Sequence, residues 1–223
     1  MKKKTGRAGS KAAKHRKGVR ASRKVPQGRP SSNRSPASGD AKAEIRRLRT
    51  QLKLALARID ELQASANTDF LLEIPNRRGF ERELDRAISY IKRYHAGGAL
   101  IVVDVDRLKP INDAFGHAAG DHVLKAIATV LSRQIRSSDV IGRLGGDEFA
   151  LLLWNLTETD AHAKAATLEE AIDRLKFVFD GQNVTTGASA GVAVLGPHSE
   201  AGRVLEEADC AMYVRKAQRR HEA

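Results

Sequence analysis

The feature that most constrains the fold is a short, continuously apolar run, "GALIVVDVD", at residues 98–106. A β-branched run of this length is typical of a strand that is buried on both faces. Amphipathic patterns with helical spacing precede it at residues 80–94 and follow it at residues 120–135. The sequence therefore predicts a sheet whose strands are separated by helices.

The same alternation continues toward the C-terminus. Two strand-like stretches, "DVIGRL" at 139–144 and "DEFALLLW" at 147–154, flank Gly145 and Gly146 at the spacing of a tight hairpin. Three further elements are predicted, namely a helix over 158–179, a strand over 184–194 and a helix over 201–220. Together these elements predict an α/β fold in which helices flank a mixed sheet.

The N-terminal segment differs from the rest in charge. Residues 1–39 hold 13 of the 39 Lys and Arg residues and no Asp or Glu, so the remainder of the chain is close to neutral. With so few apolar side chains the segment cannot form a core, and we predict that residues 1–40 are a disordered basic tail. Such a tail binds nucleic acid or an anionic membrane, or is a solvated leader without a specific partner.

Residues 41–66 have the apolar spacing of a coiled coil. No Gly or Pro interrupts this segment. The apolar positions, separated by three and four residues in turn, are Ile45, Leu48, Leu52, Ala55, Ile59 and Leu62. We predict a helix that pairs two copies of the chain as a homodimer; the alternative is a helix packed on its own globular domain, which would span residues 67–223.

Two observations bear on location. The single cysteine, Cys210, excludes a disulfide within the chain and fits a reducing compartment. No apolar run approaches the length that is needed to cross a bilayer. We therefore expect a cytoplasmic protein without a transmembrane segment.

The hairpin places acidic residues beside a glycine turn. Asp104 ends the apolar strand, and Asp147 and Glu148 follow Gly145-Gly146. If the two strands are neighbours, Asp104 and Asp147 meet at one end of the sheet, where carboxylate oxygens suit Mg²⁺ bound together with substrate phosphates. Glycines without Cβ atoms would let a nucleotide approach the backbone. The alternative is an ordinary solvated hairpin tip.

Several segments at fixed separations resemble the GGDEF family of diguanylate cyclases. They are "DVDRLKPINDAFGHAAGD" at 104–121, "RSSD" at 136–139, "GGDEF" at 145–149 and "ADCAMYVRKAQRR" at 208–220. The resemblance covers residues 68–220. It implies a palm-like fold shared with nucleotidyl cyclases, and a bacterial enzyme that condenses two GTP molecules into cyclic di-GMP with release of pyrophosphate.

The resemblance also implies roles for the acidic residues. Asp104 and Asp147 match the metal-binding positions, assisted by the backbone carbonyl of Val105, and the metal would be Mg²⁺ or Mn²⁺. Glu148 matches a position that is implicated in metal binding or in activation of the 3′-hydroxyl. Gly145 and Gly146 complete the catalytic signature.

Five further residues match substrate-binding positions. Asn112 and Asp121 match those that recognise guanine, although a capping role beside a helix would also explain them. Lys109, Lys216 and Arg220 match residues that contact phosphate. Basic residues in the last turn of a helix are also favoured by the helix dipole alone, which is the alternative for the last two.

The "RSSD" segment matches the family's inhibitory product site. Arg136 would bind guanine or phosphate, and Asp139 would accept from a guanine edge. Because this motif ends six residues before Gly145, at the family's spacing, it implies feedback inhibition by cyclic di-GMP. A surface ion pair between Arg136 and Asp139 is the alternative.

The chain departs from the family at several positions. Leu72 and Glu73 replace Thr and Gly at the start of the domain, and the Glu argues against a positive φ there. Leu108 stands where Phe is usual, and Arg219 replaces a Gly near the end. Three functional hypotheses remain: an active cyclase, a catalytically silent module that binds cyclic di-GMP or GTP and signals through partners, and a nucleic-acid-associated protein dominated by its tail.

Overall fold

The structure, a computed structural model, describes residues 37–222. The predicted basic tail therefore lies almost wholly outside the described residues. The chain divides into two compact units between Arg49 and Thr50, within the first helix. Within the described part of the chain, no helix is long and apolar enough to cross a membrane.

The secondary structure largely follows the predicted order. The helices are α1 (Ala37–Asn67), α2 (Arg77–Tyr94), α3 (Leu108–Phe115), α4 (His117–Arg133), α5 (Glu158–Asp173) and α6 (Ala201–Glu222). The strands are β1 (Gly98–Asp106), β2 (Val140–Gly145), β3 (Glu148–Trp154), β4 (Lys176–Phe179), β5 (Gln182–Thr185) and β6 (Gly187–Leu195).

The main sheet has four strands in the order β2-β3-β1-β6. The α/β fold with helices on the sheet is confirmed, but all ladders in this sheet are antiparallel, whereas the sequence predicted a mixed one. The strands β1 and β2, which are joined through helices, do run parallel to each other. They form no ladder, because β3 lies between them in the sheet and pairs antiparallel with both.

Side chains of the central strand alternate between two helical layers, because successive residues of a strand point to opposite faces. Ile101 and Val103 belong to the core cluster that contains residues of α3, α4 and α5. Leu100 and Val102 belong to the cluster formed with α2 and α6. The continuous apolar run of β1 is thus explained by burial on both faces.

The predicted helix over 158–179 is wrong in its last part. The helix ends at Asp173, and β4 and β5 form a separate two-stranded hairpin. Asp180 and Gly181 connect them with φ values of 50° and 76°, the left-handed conformation that favours a tight hairpin turn. The same hairpin shortens the predicted strand over 184–194, which is divided between β5 and β6.

The apolar positions predicted for the coiled coil form a stripe on helix α1, and those whose side chains the structure describes are exposed; Leu62 lies outside them. Ile45 and Leu48 are 49% and 53% exposed in the first unit, and Leu52 and Ile59 are 60% and 48% exposed in the second. The alternative interpretation, a helix packed on its own globular domain, required these residues to be buried. In the second unit, Leu52 and Ile59 are instead exposed.

Candidate functional site

The predicted acidic residues meet at one end of the main sheet. Asp104 pairs in register with Glu148 across the β1–β3 ladder. The backbone N–H of Val105 donates to the carbonyl of Asp147 at 3.0 Å. The predicted adjacency of these two strands is confirmed, and it brings the three carboxylates to one place.

Burial makes ionisation of Asp104 unfavourable. The residue is only 7% exposed, and desolvation raises the pKa of its carboxyl above the ordinary value. A hydrogen bond and ion pair with Lys216 oppose this shift, whereas the charges of Asp147 and Asp106 add to it. A carboxylate in these surroundings favours a nearby cation.

The pKa of Glu148 is also raised above its ordinary value. Its pKa is raised first by burial and then by the neighbouring charges of Asp209, Asp104 and Asp147. Arg77, whose guanidinium lies 3.9 Å from Glu148 Oε2, lowers it. A carboxylate with a raised pKa beside a reacting hydroxyl is a candidate general base.

The oxygen atoms at this end of the sheet fit a divalent cation. The negative charge of Asp147 helps to raise the pKa of Asp104, and a cation between the two carboxylates would relieve this repulsion. Within residues 37–222, no group of three or more His, Cys, Asp and Glu side chains is arranged as a metal site. Two carboxylates that share the ion with substrate phosphates are nevertheless a usual arrangement for Mg²⁺.

A basic cleft of about 590 Å³ is lined by Asp147, whereas Glu148 lines a separate pocket with Arg77 and Asp209. Of the predicted site residues, the cleft brings together Val105, Lys109, Asp147, Lys216 and Arg220. Arg107 and Arg219, which the sequence analysis did not assign to the site, also line it. We refer to this space as the basic cleft.

One wall of the basic cleft is the start of helix α3. Arg107 turns the chain from β1 into the helix with a left-handed φ of 64°. The first N–H groups of a helix have no partner within it and attract anions. Pro110 in the first turn lacks an N–H, so Leu108 and Lys109 supply the free N–H groups there.

Asn112 and Asp121 lie outside the lining of the basic cleft, and neither is a helix cap. Asn112 is within α3 and Asp121 is within α4, so the capping alternative is wrong for both. The Oδ1 atom of Asn112 is buried without a hydrogen-bond partner. A Cβ on Gly120 would lie 2.0 Å from that atom, so the glycine is required to make room for the Asn side chain.

Residues 136–139 form a tight turn that is fixed by the side chain of Asp139. Its Oδ2 accepts from the backbone N–H of Arg136 at 2.9 Å, and its Oδ1 accepts from that of Trp154 at 3.1 Å. Asp139 thus contacts the Arg136 backbone rather than its guanidinium, unlike the predicted surface ion pair. The Asp139 carboxylate connects this turn to the end of β3.

Arg143 is a site residue that the sequence analysis missed. Its guanidinium donates to Asp69 Oδ2 at 3.1 Å and to the carbonyl of Gly146 at 2.7 Å. It thereby connects the start of the domain to the glycine turn. No local pattern could have identified it, because Asp69 and Arg143 are 74 residues apart.

The expectation about Glu73 is wrong. Its φ is 56°, so a Glu adopts the left-handed conformation that the sequence analysis excluded. The surrounding turn imposes this geometry. Asp69 Oδ1 accepts from the N–H groups of Leu71 and Leu72, and the Asp69 carbonyl accepts from Glu73 N–H at 2.9 Å.

The glycine turn is open on its outer side. Gly146 and Asp147 connect β2 to β3, and a Cβ on Gly146 would meet no atom within 4 Å. The packing of the protein therefore does not require a glycine at this position.

The chain matches a known protein family over most of its length. The family is described as diguanylate cyclase, GGDEF domain, and the match covers residues 66–222. The chain is 38% identical over 157 residues to the probable diguanylate cyclase DgcE of Escherichia coli K12, covering 70% of this chain and 14% of that protein. It is 39% identical over 170 residues to the diguanylate cyclase TpbB of Pseudomonas aeruginosa, covering 74% and 39%.

The chain thus spans well under half the length of these two relatives. Its structure is also similar to the coiled coil and GGDEF domain of DgcB from Caulobacter crescentus in complex with c-di-GMP. The TM-score is 0.65 at 29% sequence identity, and the alignment covers 84% of this chain and 96% of that one.

Proposed function

Because this chain belongs to the GGDEF diguanylate cyclase family, we propose that it condenses two GTP molecules into cyclic di-GMP. The observation that carries this proposal is the juxtaposition of Asp104, Asp147 and Glu148 at one end of the sheet, where Asp147 also lines the basic cleft. Each 3′-hydroxyl attacks the α-phosphorus of the other GTP. Two phosphodiester bonds form, two bonds between α- and β-phosphates break, and two pyrophosphates leave.

The basic cleft would bind the triphosphate. Lys109, Lys216 and Arg220 supply positive charge, and the N–H groups at the start of α3 supply hydrogen-bond donors. Neutralisation of the phosphates holds the α-phosphorus in place for in-line attack, which is where most of the catalysis of phosphoryl transfer arises.

The acidic residues would serve the reacting atoms. Asp104, Asp147 and the Val105 carbonyl would hold Mg²⁺ or Mn²⁺, which neutralises developing charge and lowers the pKa of the attacking hydroxyl. Glu148, with its raised pKa, would accept the proton of that hydroxyl. Gly145 and Gly146 keep the approach to these groups open.

Asn112 and Asp121 would select guanine. Guanine presents adjacent N–H donors, and the unpaired Asn112 Oδ1 and the Asp121 carboxylate are acceptors. Adenine lacks the N1–H and 2-amino donors of guanine, so a buried acceptor that these groups would pair is left unpaired at a cost of about 1–3 kcal/mol.

Two further proposals concern assembly and regulation. The exposed stripe of α1 would pair two chains, so that two bound GTP molecules meet at a high effective concentration. The turn at Arg136 and Asp139 would bind cyclic di-GMP and inhibit the enzyme. The reaction would take place in the cytoplasm, where GTP is supplied.

The direct test is incubation of the purified full-length protein with GTP and Mg²⁺, with the product resolved by chromatography. We expect cyclic di-GMP from the wild type and none from Asp147→Asn. Asp180→Asn makes the same chemical change at an exposed turn outside the cleft and should retain activity. A folded wild type that binds cyclic di-GMP but forms no product would favour the silent binding module instead.

A further inference from the structure

The guanidinium of Arg219 is surrounded by three carboxylates. One nitrogen, Nη2, lies 2.8 and 2.9 Å from the two oxygens of Asp173. Nε lies 3.7 Å from Asp106, and Nη1 lies 3.6 Å from Glu169. Arg219 therefore connects the end of α6 to α5 and to the end of β1.

Two of these acids are in an unfavourable place for the proposed substrate. Asp106 and Asp173 line the basic cleft together with Arg219 itself. A triphosphate in this cleft would carry several negative charges, and carboxylates on the wall would repel it. Without Arg219, the other basic residues of the lining would have to overcome this repulsion, namely Arg107, Lys109, Lys216 and Arg220.

The acids around Arg219 are held firmly. Ser189 Oγ donates to Asp106 Oδ2 at 3.3 Å, so this carboxylate does not depend on Arg219 for its position. Glu169 is bound by Arg215 at 2.9–3.2 Å. Arg219 therefore compensates chiefly the charges of Asp106 and Asp173. The three side chains meet above Gly187, where a Cβ built on this glycine would lie 3.0–3.4 Å from the nearest atom of each.

We infer that Arg219 is a positioning residue that neutralises Asp106 and Asp173, so that the basic cleft accepts a polyphosphate. The inference rests on the proposed function, because it assumes that the cleft holds the triphosphate of GTP. It assigns a role to a residue that departs from the family pattern, since a Gly at position 219 could not compensate either acid. Asp106, Asp173 and Arg219 therefore act as one electrostatic unit.

The test is the binding of two guanine nucleotides to the full-length protein with Mg²⁺, measured by calorimetry. The probes are 3′-deoxy-GTP, which lacks the attacking hydroxyl and so cannot condense, and GMP, which lacks the β- and γ-phosphates. Arg219→Ala should weaken binding of 3′-deoxy-GTP about tenfold and binding of GMP less than about twofold. Arg219→Lys should retain most of the affinity.

The decisive variant is the double substitution of Arg219→Ala with Asp173→Asn. If Arg219 acts by neutralising this acid, removal of the acid should restore most of the lost affinity for 3′-deoxy-GTP. Gln218→Ala, at an exposed neighbour in the same helical turn, controls for changes in the helix.

An equal loss for both nucleotides, or no recovery in the double variant, would overturn the inference while leaving the proposed function intact. Failure of the wild type to bind 3′-deoxy-GTP at all would overturn the proposed function and this inference with it.

Discussion

The guanidinium of Arg143 lies 3.1 Å from the carboxylate of Asp69, and both side chains are largely buried, at 15% and 13% exposure. Asp69 orders the turn that begins the domain, and Arg143 also binds the carbonyl of Gly146 in the glycine turn. The Arg143 side chain therefore connects the start of the domain to the turn that carries Asp147.

We expect Arg143→Ala to lower both stability and turnover. Removal of one partner leaves the Asp69 carboxylate buried without its cation, which should lower the free energy of unfolding by about 2–3 kcal/mol. Turnover should fall at least about tenfold because the glycine turn loses its anchor. Urea unfolding and the GTP assay measure the two effects.

The matched control is Arg86→Ala. Arg86 pairs with Glu83 on the surface of α2, and its side chain is 65% exposed. Loss of such a pair should change the free energy of unfolding by less than about 0.5 kcal/mol. Equal effects of the two substitutions would contradict the proposed anchoring role of Arg143.

We expect Glu73→Gly to stabilise the domain. An L-residue in the left-handed conformation costs roughly 1–2 kcal/mol, and the greater backbone freedom of Gly in the unfolded chain offsets about half of the gain. The free energy of unfolding should rise by about 0.5–1 kcal/mol. Glu73→Ala, which removes the same side chain but keeps Cβ, should give no such gain in urea unfolding.

The pH dependence of stability should change in Glu148→Gln. Because the pKa of Glu148 is raised in the folded state, the folded protein binds more protons than the unfolded chain, and the free energy of unfolding falls as the pH rises above the ordinary value of 4.5. The Gln variant lacks this loss and should show a flatter profile in urea unfolding from about pH 4.5 to pH 7. Its stability at neutral pH should equal or exceed that of the wild type.

Turnover should nevertheless be lost in this variant, because an amide cannot accept the proton of the attacking hydroxyl. An unchanged pH profile of stability would show that Glu148 is not perturbed by its neighbours. Retained turnover would remove it from the proposed chemistry.

We expect Leu52→Asp to separate the chains of the proposed dimer. A charge at an apolar position of the stripe would be buried in a coiled coil, which is strongly unfavourable. Sedimentation should show a dimer for the wild type and a monomer for the variant, with activity lost in parallel. Leu54→Asp, at a position off the stripe with 66% exposure, should leave the dimer intact.

The parts of the fold that could be predicted from the sequence are those with strong local patterns. The apolar run of β1 and the hairpin around Gly145-Gly146 identify three strands of the main sheet. The β4–β5 hairpin was missed because its strands have only four residues each, and because the polar Gln182 and Asn183 follow Asp180-Gly181, although Asp-Gly is a recognised hairpin signal.

The candidate site was also predicted only in part. The resemblance to the family identified the site residues, but it did not identify the residues that contact them. Lys216 contacts Asp104 across 112 residues of sequence, and Arg143 contacts Asp69 across 74. Such pairs depend on how α6 and the start of the domain pack on the sheet, and no spacing in the chain specifies that packing.

The contact between Lys216 and Asp104 has a consequence for the folding of the protein in the absence of ligands. A buried carboxylate that depended on a metal for compensation would make folding conditional on metal supply. Here Lys216 supplies a counter-charge to Asp104, so this carboxylate would not make folding depend on a metal. The supply of ligands would then control the activity of the protein and not its folding.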